Sequence, residues 1–209
     1  MTIQDTVDKF HDLYYNSEKQ TWMNTYWFGI PVQKIPLDLW IYQEIIFEVK
    51  PDIIIETGTL NGGSALFMAS MCDLMGKGII VTIDINQMPR PFHNRIYYLF
   101  GSSTSDGIFT LVKDSIQPND KVLVILDSDH SKDHVLKEIS LYNQLVSIGS
   151  YLIVEDTNIN GHPVYPDFGP GPMEAVEEFL KTDTSFIADH TKEKFFITQN
   201  SNGYLKRVS

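Results

Sequence analysis

Apolar positions along this chain fall into short runs of β-branched residues that alternate with longer segments of helical spacing. Ile53-Ile54-Ile55 follows Pro51 and is apolar on both faces, the character of an interior strand of a parallel sheet. Similar runs recur at residues 79–83, 96–100, 122–126 and 151–154. Between them the spacing predicts helices over residues 64–75, 107–112 and 132–145. Strands alternating with helices predict a mostly parallel sheet wrapped on both faces, an α/β fold. Upstream, Val7, Phe10, Leu13 and Tyr14 predict a helix over residues 6–15, and a second is expected over 37–49. Downstream, a helix over 174–180 and a short strand over 186–188 precede residues 195–198 and 203–208, which are expected to pair as a terminal antiparallel hairpin. No internal repeat or low-complexity linker interrupts the pattern.

The first strand runs into Glu56-Thr57-Gly58-Thr59-Leu60-Asn61-Gly62-Gly63-Ser64, a glycine-rich turn that opens a helix. Gly58, Gly62 and Gly63 let the backbone turn sharply and approach a ligand, and the first N–H groups of the helix face that turn. A phosphate-binding loop needs a Lys after its last glycine, and here Ser64-Ala65 follows instead. The dinucleotide pattern G-x-G-x-x-G is absent too, which argues against an NAD-dependent enzyme. What remains is an acid, Glu56, before the glycines and a second acid, Asp84, at the tip of the next strand. An acid at that tip accepts two ribose hydroxyls, and Glu56 can face a ligand that carries positive charge. The pair suits the cationic sulfonium and ammonium of S-adenosylmethionine better than a pyrophosphate. Gly101-Ser102-Ser103 is a further turn expected to face the cofactor, and Asp106 behind it could accept from an adenine amino group. The same Ser-Ser-Thr-Ser-Asp stretch also suits a helix N-cap.

Acids recur at the ends of the last two parallel strands. Residues 122–126 lead into Asp127-Ser128-Asp129-His130, and 151–154 lead into Glu155-Asp156. In an open α/β sheet the ligand lies at the carboxyl ends of the strands. At least three carboxylates are therefore expected close together there, a repulsion that a bound cation resolves. Oxygen ligands point to Mg²⁺, with Mn²⁺ or Ca²⁺ as alternatives. Asp127 is the favoured strand-tip ligand, and Asp129 could instead cap the helix that begins near Ser131. His130 shares that loop and is placed to accept a proton from a substrate hydroxyl that the metal acidifies. His162, in a loop after the acids, could contact substrate or fix a turn. His134 is read as a surface helix residue, and His11, His93 and His190 as structural or solvated. The Pro166–Pro172 stretch, PDFGPGP, is a stiff loop expected to shape a substrate pocket.

Size and charge narrow the class. The 209 residues suit one domain with a proper core, and 43% hydrophobic with 21% charged residues are those of a soluble globular protein. A formal charge of −11 argues against a nucleic acid or an anionic membrane as partner. The single cysteine, Cys72, rules out an intrachain disulfide and reads as a small core residue. No leader or membrane-spanning run is visible, so a cytoplasmic protein is expected. The aromatic stretch Tyr26-Trp27-Phe28 suggests a lid over the site or a homo-oligomer contact.

The segments ETGTLNGGSA, GSSTSD, ILDSDHSKDHVLKEISLYNQLVSIGSYLIVEDTNINGHPV and FGPGPMEAVEEFL together closely resemble the cephalosporin hydroxylase family. That family groups S-adenosylmethionine-dependent O-methyltransferases, rhamnosyl and macrolide-sugar methyltransferases among them. The resemblance covers about residues 22–180. It implies a Rossmann-like class I methyltransferase domain over 51–209, with 1–50 as a helical extension or lid. It also implies cofactor contacts at Glu56, Gly58, Ser64 and Asp84; Thr59, Gly62, Gly63 and Asp127 are expected cofactor contacts from their own places on the turn and at the strand tip. A divalent metal is implied at Asp127 or Asp129, Glu155 and Asp156, with His130 as base. Catechol-type methyltransferases are a more distant likeness; their Asp-His-x-Lys-Asp pattern falls on Asp129–Asp133 and would make Asp129 the ligand. The function implied is methylation of a hydroxyl on a small molecule, a sugar or a glycosylated natural product. The alternative is a non-catalytic cofactor-binding partner of a separate hydroxylase. Against intrinsic oxygenase chemistry, the sequence carries no haem motif, flavin fingerprint or two-His-one-carboxylate triad.

Overall fold

In a computed structural model describing residues 2–16 and 18–209, the chain begins with helix α1 (Ile3–Asn16), and a two-stranded ribbon, β1 (Tyr26–Trp27) and β2 (Ile30–Pro31), follows. Met1 and Ser17, which the expected N-terminal extension includes, lie outside the described residues. Helix α1 buries His11, Tyr14 and Tyr15, leaving Phe10 and Leu13 of the expected apolar face exposed. The face is rotated because Tyr14 and Tyr15 pack with Trp22, Ile35 and Ile159 in a small satellite core.

Helix α2 (Pro36–Val49) leads into β3 (Ile53–Thr57), α3 (Gly63–Met75), β4 (Ile79–Asp84), β5 (Ile96–Phe100) and α4 (Asp106–Ser115). Then come β6 (Val122–Leu126), α5 (Lys132–Tyr142), β7 (Tyr151–Val154), α6 (Pro172–Thr182), β8 (Phe186–Ala188) and β9 (Tyr204–Arg207). The sheet order is β5-β4-β3-β6-β7-β9-β8, parallel through β7, with β9 antiparallel to both its neighbours.

Side chains in a strand alternate between faces, and here the alternation divides the core in two. Ile53 and Ile55 face α4, α5 and α6 with Val122 and Val124, whereas Ile54 faces α2 and α3 with Ile80 and Leu123. Both faces being covered explains why β3 and β6 are buried throughout. Cys72 lies in this second core, where burial pushes its thiol up to about 11.

The terminal hairpin differs from expectation in one strand. β9 pairs with Phe186–Ala188, not with residues 195–198. Phe196 takes a left-handed φ of 65°, which ends any extended run there. The chain beyond it bonds elsewhere, the N–H of Gln199 donating to Asp38 at 2.8 Å. Among the described residues, no helix is long and apolar enough to cross a membrane.

Candidate active site at the carboxyl edge of the sheet

Strand order reverses between β3 and β6, the place where an open α/β sheet leaves a crevice at its carboxyl edge. A cavity of about 760 Å³ opens there. Its floor is the turn after β3, and Gly58 shows how tightly that turn is built. Its φ is +85°, and a Cβ there would lie 1.7 Å from the carbonyl oxygen of Asp127. The loops after β3 and β6 therefore touch backbone to backbone. Gly63, opening α3, is covered by Pro31, whose carbonyl a Cβ would meet at 2.2 Å.

Of the sequence-predicted residues, Gly58, Thr59, Gly63, Ser64, Asp84, Gly101, Ser102, Ser103, Asp127, Asp129, His130 and Asp156 line this one cavity. Asp84 is fixed by N–H donors from Leu60 and Asn86, each at 2.8 Å, and by the Arg90 guanidinium at 3.0 Å. Arg90 lies in turn over the rings of Tyr98 and Phe100, at 5.7 and 5.6 Å.

Glu56 and Gly62 do not line the cavity. Glu56 is fully buried beneath it, accepting from the hydroxyls of Ser64 at 2.5 Å and Thr82 at 2.6 Å. Burial pushes its carboxyl up to about 7 although both hydroxyls work the other way. It braces the turn from below and does not meet a ligand face to face. Gly62, at φ +79°, is the left-handed N-cap of α3. Asp106 begins α4, whose N-cap is the preceding Ser105.

Three ligand atoms converge at the other end of the cavity. One atom each from Asp127, His130 and Asp156 lies within 4.8 Å of the other two. Asp156 holds a left-handed φ of 54°, and its Oδ2 lies 3.2 Å from His130 Nε2. Burial raises the pKa of both aspartates, against the pull of Lys34 and His130. Such a set, two carboxylates and an imidazole, suits a divalent cation.

Glu155 does not join them. It is 2% exposed, its Oε1 taken by the Tyr42 hydroxyl and by the ammonium of Lys34 at 2.5 Å. Asp129 lines the cavity but spends an oxygen on the N–H of Ser131 at 2.8 Å, the helix-start role. His162 pairs with Glu174 at 2.8 Å and fixes the start of α6 instead of lining the cavity. Burial would raise Glu174, but the Gly171 N–H, His162 and Asn160 outweigh it and hold it down at about 2.

Sequence reasoning missed several contributors. Lys34 binds Asp127 from 93 positions away, and its one local signal is a lone charge between apolar Ile30-Pro31-Val32 and Ile35-Pro36-Leu37. Tyr15, Trp22 and Gln33 wall the cavity from the N-terminal segment, with Tyr165 and Phe168 from the loop before α6. Tyr15 stacks on Trp22 at 5.6 Å and meets Tyr165 edge-on at 5.5 Å. His134, expected on the surface, lines the cavity as well and bonds to Ser128 at 3.1 Å.

A family model described as Rhamnosyl O-methyltransferase/CmcI matches residues 19–208. The chain is 38% identical to the rhamnosyl O-methyltransferase of Mycobacterium bovis over 211 residues, covering 96% of this chain and 84% of that protein. It is 37% identical to the Mycobacterium leprae protein of the same name, covering 96% and 90%. Among solved structures, an apo-structure of CmcI aligns with a TM-score of 0.69 at 21% identity, covering 90% of this chain and 77% of that one. A CmcI structure with Mg and SAM aligns with a TM-score of 0.65 at 20% identity, covering 90% and 78%. The chain belongs to the Rhamnosyl O-methyltransferase/CmcI family, and its fold is the Rossmann-like one of class I methyltransferases.

Proposed function

We propose that this S-adenosylmethionine-dependent O-methyltransferase acts on a hydroxyl of a sugar or glycosylated natural product and uses a divalent cation, Mg²⁺ or Mn²⁺. The observation that carries this reading is the single cavity. It joins a glycine turn and a strand-tip acid, Asp84, to the convergent Asp127, His130 and Asp156, in a chain 38% identical to a rhamnosyl O-methyltransferase.

Bound S-adenosylmethionine supplies an electrophilic methyl group, and a bound divalent cation makes a nearby hydroxyl more acidic. The chain's own residues do the rest. Asp84, already aligned by Leu60, Asn86 and Arg90, presents acceptor oxygens to the two ribose hydroxyls. The glycine turn lets the neighbouring backbone at Asp127 and Pro31 close against it, and the turn so packed forms the cavity floor between β3 and α3. Asp127 and Asp156 hold the cation, and His130 Nε2 takes the proton from the acceptor hydroxyl. The aromatic wall of Tyr15, Trp22 and Tyr165 faces the same space and offers apolar ring faces to a sugar. The N-terminal segment thus acts as a fixed wall of the acceptor pocket.

The test is calorimetric titration of S-adenosylmethionine with and without Mg²⁺, with NAD as control. It is followed by a methylation assay on p-nitrophenyl α-L-rhamnoside with and without EDTA. Micromolar binding of S-adenosylmethionine but not NAD, and EDTA-sensitive methylation of the glycoside, are expected. No binding of S-adenosylmethionine under either condition would favour the non-catalytic partner instead.

A further inference from the structure

Tyr15 brings a hydroxyl as well as a ring to the cavity wall. Its oxygen accepts from two amides, Gln199 Nε2 at 2.8 Å and Asn158 Nδ2 at 3.1 Å. Gln199 is held in that orientation, since its Oε1 accepts from the Ile35 N–H at 3.2 Å. A phenol carries two lone pairs and one O–H. With both lone pairs engaged, only the proton is left to bond, and no acceptor among the described residues receives it.

The surroundings direct that proton toward the cavity. Tyr15 is 5% exposed, and Gln199, Ile159, Tyr165 and Asp156 line the same cavity. The stack on Trp22 and the edge contact with Tyr165 hold the ring in place. Burial, and after it the charge of Asp156, push the phenol up, so the group stays a neutral donor. Asp156 is near enough to act through its charge, whereas the bonds of the hydroxyl go to the two amides. The hydroxyl is therefore a neighbour of the Asp127, His130 and Asp156 cluster and not a member of it. A donor in that place, framed by apolar ring faces, suits an oxygen close to the reacting one. On a sugar, that oxygen belongs to the adjacent ring carbon.

We propose that the Tyr15 hydroxyl donates a hydrogen bond to the acceptor hydroxyl adjacent to the methylated one, and so selects acceptors with two neighbouring hydroxyls. This rests on the sugar-acceptor reading of the preceding section. In the free protein water takes the bond, and the acceptor displaces it. A site built to bond a substrate hydroxyl rejects an analogue that lacks it, because a buried donor is then left unpaired.

The test measures kcat/KM on p-nitrophenyl α-L-rhamnoside and its 2-, 3- and 4-deoxy analogues, for the parent and for Tyr15→Phe. The analogue without the reacting hydroxyl gives no product and identifies that position. In the parent, loss of an adjacent hydroxyl should lower kcat/KM about 10-fold. Tyr15→Phe should lose about 10-fold on the full glycoside, mainly through KM, and almost nothing further on that analogue, since both changes remove one bond. Its affinity for S-adenosylmethionine should not change. Because Tyr15→Phe orphans the Asn158 amide, the pair Tyr15→Phe with Asn158→Leu is measured in parallel and should behave alike. Asn158 Oδ1 has no partner among the described residues, so the paired change breaks no other side-chain bond of Asn158. Equal losses on the glycoside and on every reacting analogue would mark a merely structural tyrosine and overturn the proposal. So would a parent that treats every reacting deoxy analogue like the full glycoside. If the parent binds S-adenosylmethionine and methylates none of these glycosides, the sugar reading itself falls and the proposal falls with it.

Discussion

Glu56 and Asp127 sit on neighbouring parallel strands, yet they meet opposite fates. The register pairs Thr57 with Leu126, so Glu56 lies one rung inside that pair and Asp127 one rung beyond it. Two rungs decide the chemistry. Glu56, inside, is covered by α3 and finds only neutral partners, the hydroxyls of Ser64 and Thr82. Asp127, at the rim, meets an ammonium and lies beside a second aspartate and a histidine. Hydroxyls satisfy lone pairs but do not cancel charge, so a buried acid held by them alone shifts toward its neutral form. An acid that must stay ionised needs a cation. Strand-tip acids are thus not interchangeable marks of a binding site, and their depth in the sheet separates bracing acids from ligating ones.

Removing the rim acid should produce the largest effect. Asp156→Ala is expected to lower turnover about 1,000-fold, since metal catalysis is worth several kcal/mol. The thermal midpoint should fall only slightly, because the side chain is partly exposed and the cost is confined to the left-handed φ of 54°, which Ala holds less readily than Asp by about 1 kcal/mol or less. Full activity of this variant in EDTA would erase the distinction between rim and interior. Next comes the seam that joins the two acids' loops. Gly58→Ala forces a Cβ against the Asp127 carbonyl at a positive φ, which should destabilise the fold by about 3 kcal/mol or more. In a domain of this size that is a fall of about 6–12 °C in Tm, with S-adenosylmethionine binding lost alongside. An unchanged melting curve would mean the loops are not in contact.

Much of this was legible beforehand, and the limits have physical causes. Unbroken β-branched runs such as Ile53-Ile54-Ile55 announce strands covered on both faces, and alternation with helices announces their parallel order. Acids following such runs announce the edge. What a sequence does not carry is the side on which each acid leaves the strand. Glu155 and Asp156 are adjacent, and the left-handed turn at Asp156 sends it to the cavity while Glu155 stays under Lys34. Glu56 read as a tip because nothing local counts rungs against β6. Lys34, Arg90 and Tyr15 reach the site through contacts over long stretches of chain. The hairpin partner of β9 was hidden for a related reason, since apolar residues at 195–198 look extended until Phe196 turns left-handed.

The imidazole beside the rim acids sharpens the comparison next. His130 lies within ligand distance of both aspartates, so base and ligand roles predict different signatures. As base, His130→Ala should lower kcat about 100-fold and leave Mn²⁺ affinity and KM nearly unchanged. A large loss of Mn²⁺ affinity with the fold intact would move it into the ligand set instead. At the opposite end of the cavity, Asp84→Asn should weaken S-adenosylmethionine binding about 10-fold, a charge-assisted pair of hydrogen bonds being replaced by neutral ones. Calorimetry on the two variants separates the ends of the cavity, since each should spare the other's ligand.

The smallest effect tests the interior acid itself. Glu56 has an ordinary pKa of 4.5 that burial pushes up to about 7 in the fold. Between those values the folded chain binds more protons than the unfolded one, so stability falls as pH rises through the window and levels off above about 7. Glu56→Gln removes that titration while keeping an acceptor for Ser64 or Thr82. Its stability should therefore decline less than the parent's between pH 6 and 7.5, by about 1 kcal/mol, or roughly 2–4 °C in Tm. Asp38, also buried and raised to about 7, keeps part of the slope in both proteins. Asp127 differs in its partner: burial raises its carboxyl too, but the Lys34 ammonium pulls it back toward the ionised form. Parallel Tm profiles for Glu56→Gln and the parent would show that Glu56 does not titrate there. The line between hydroxyl-held and cation-held acids would then have to be drawn on some other ground than charge.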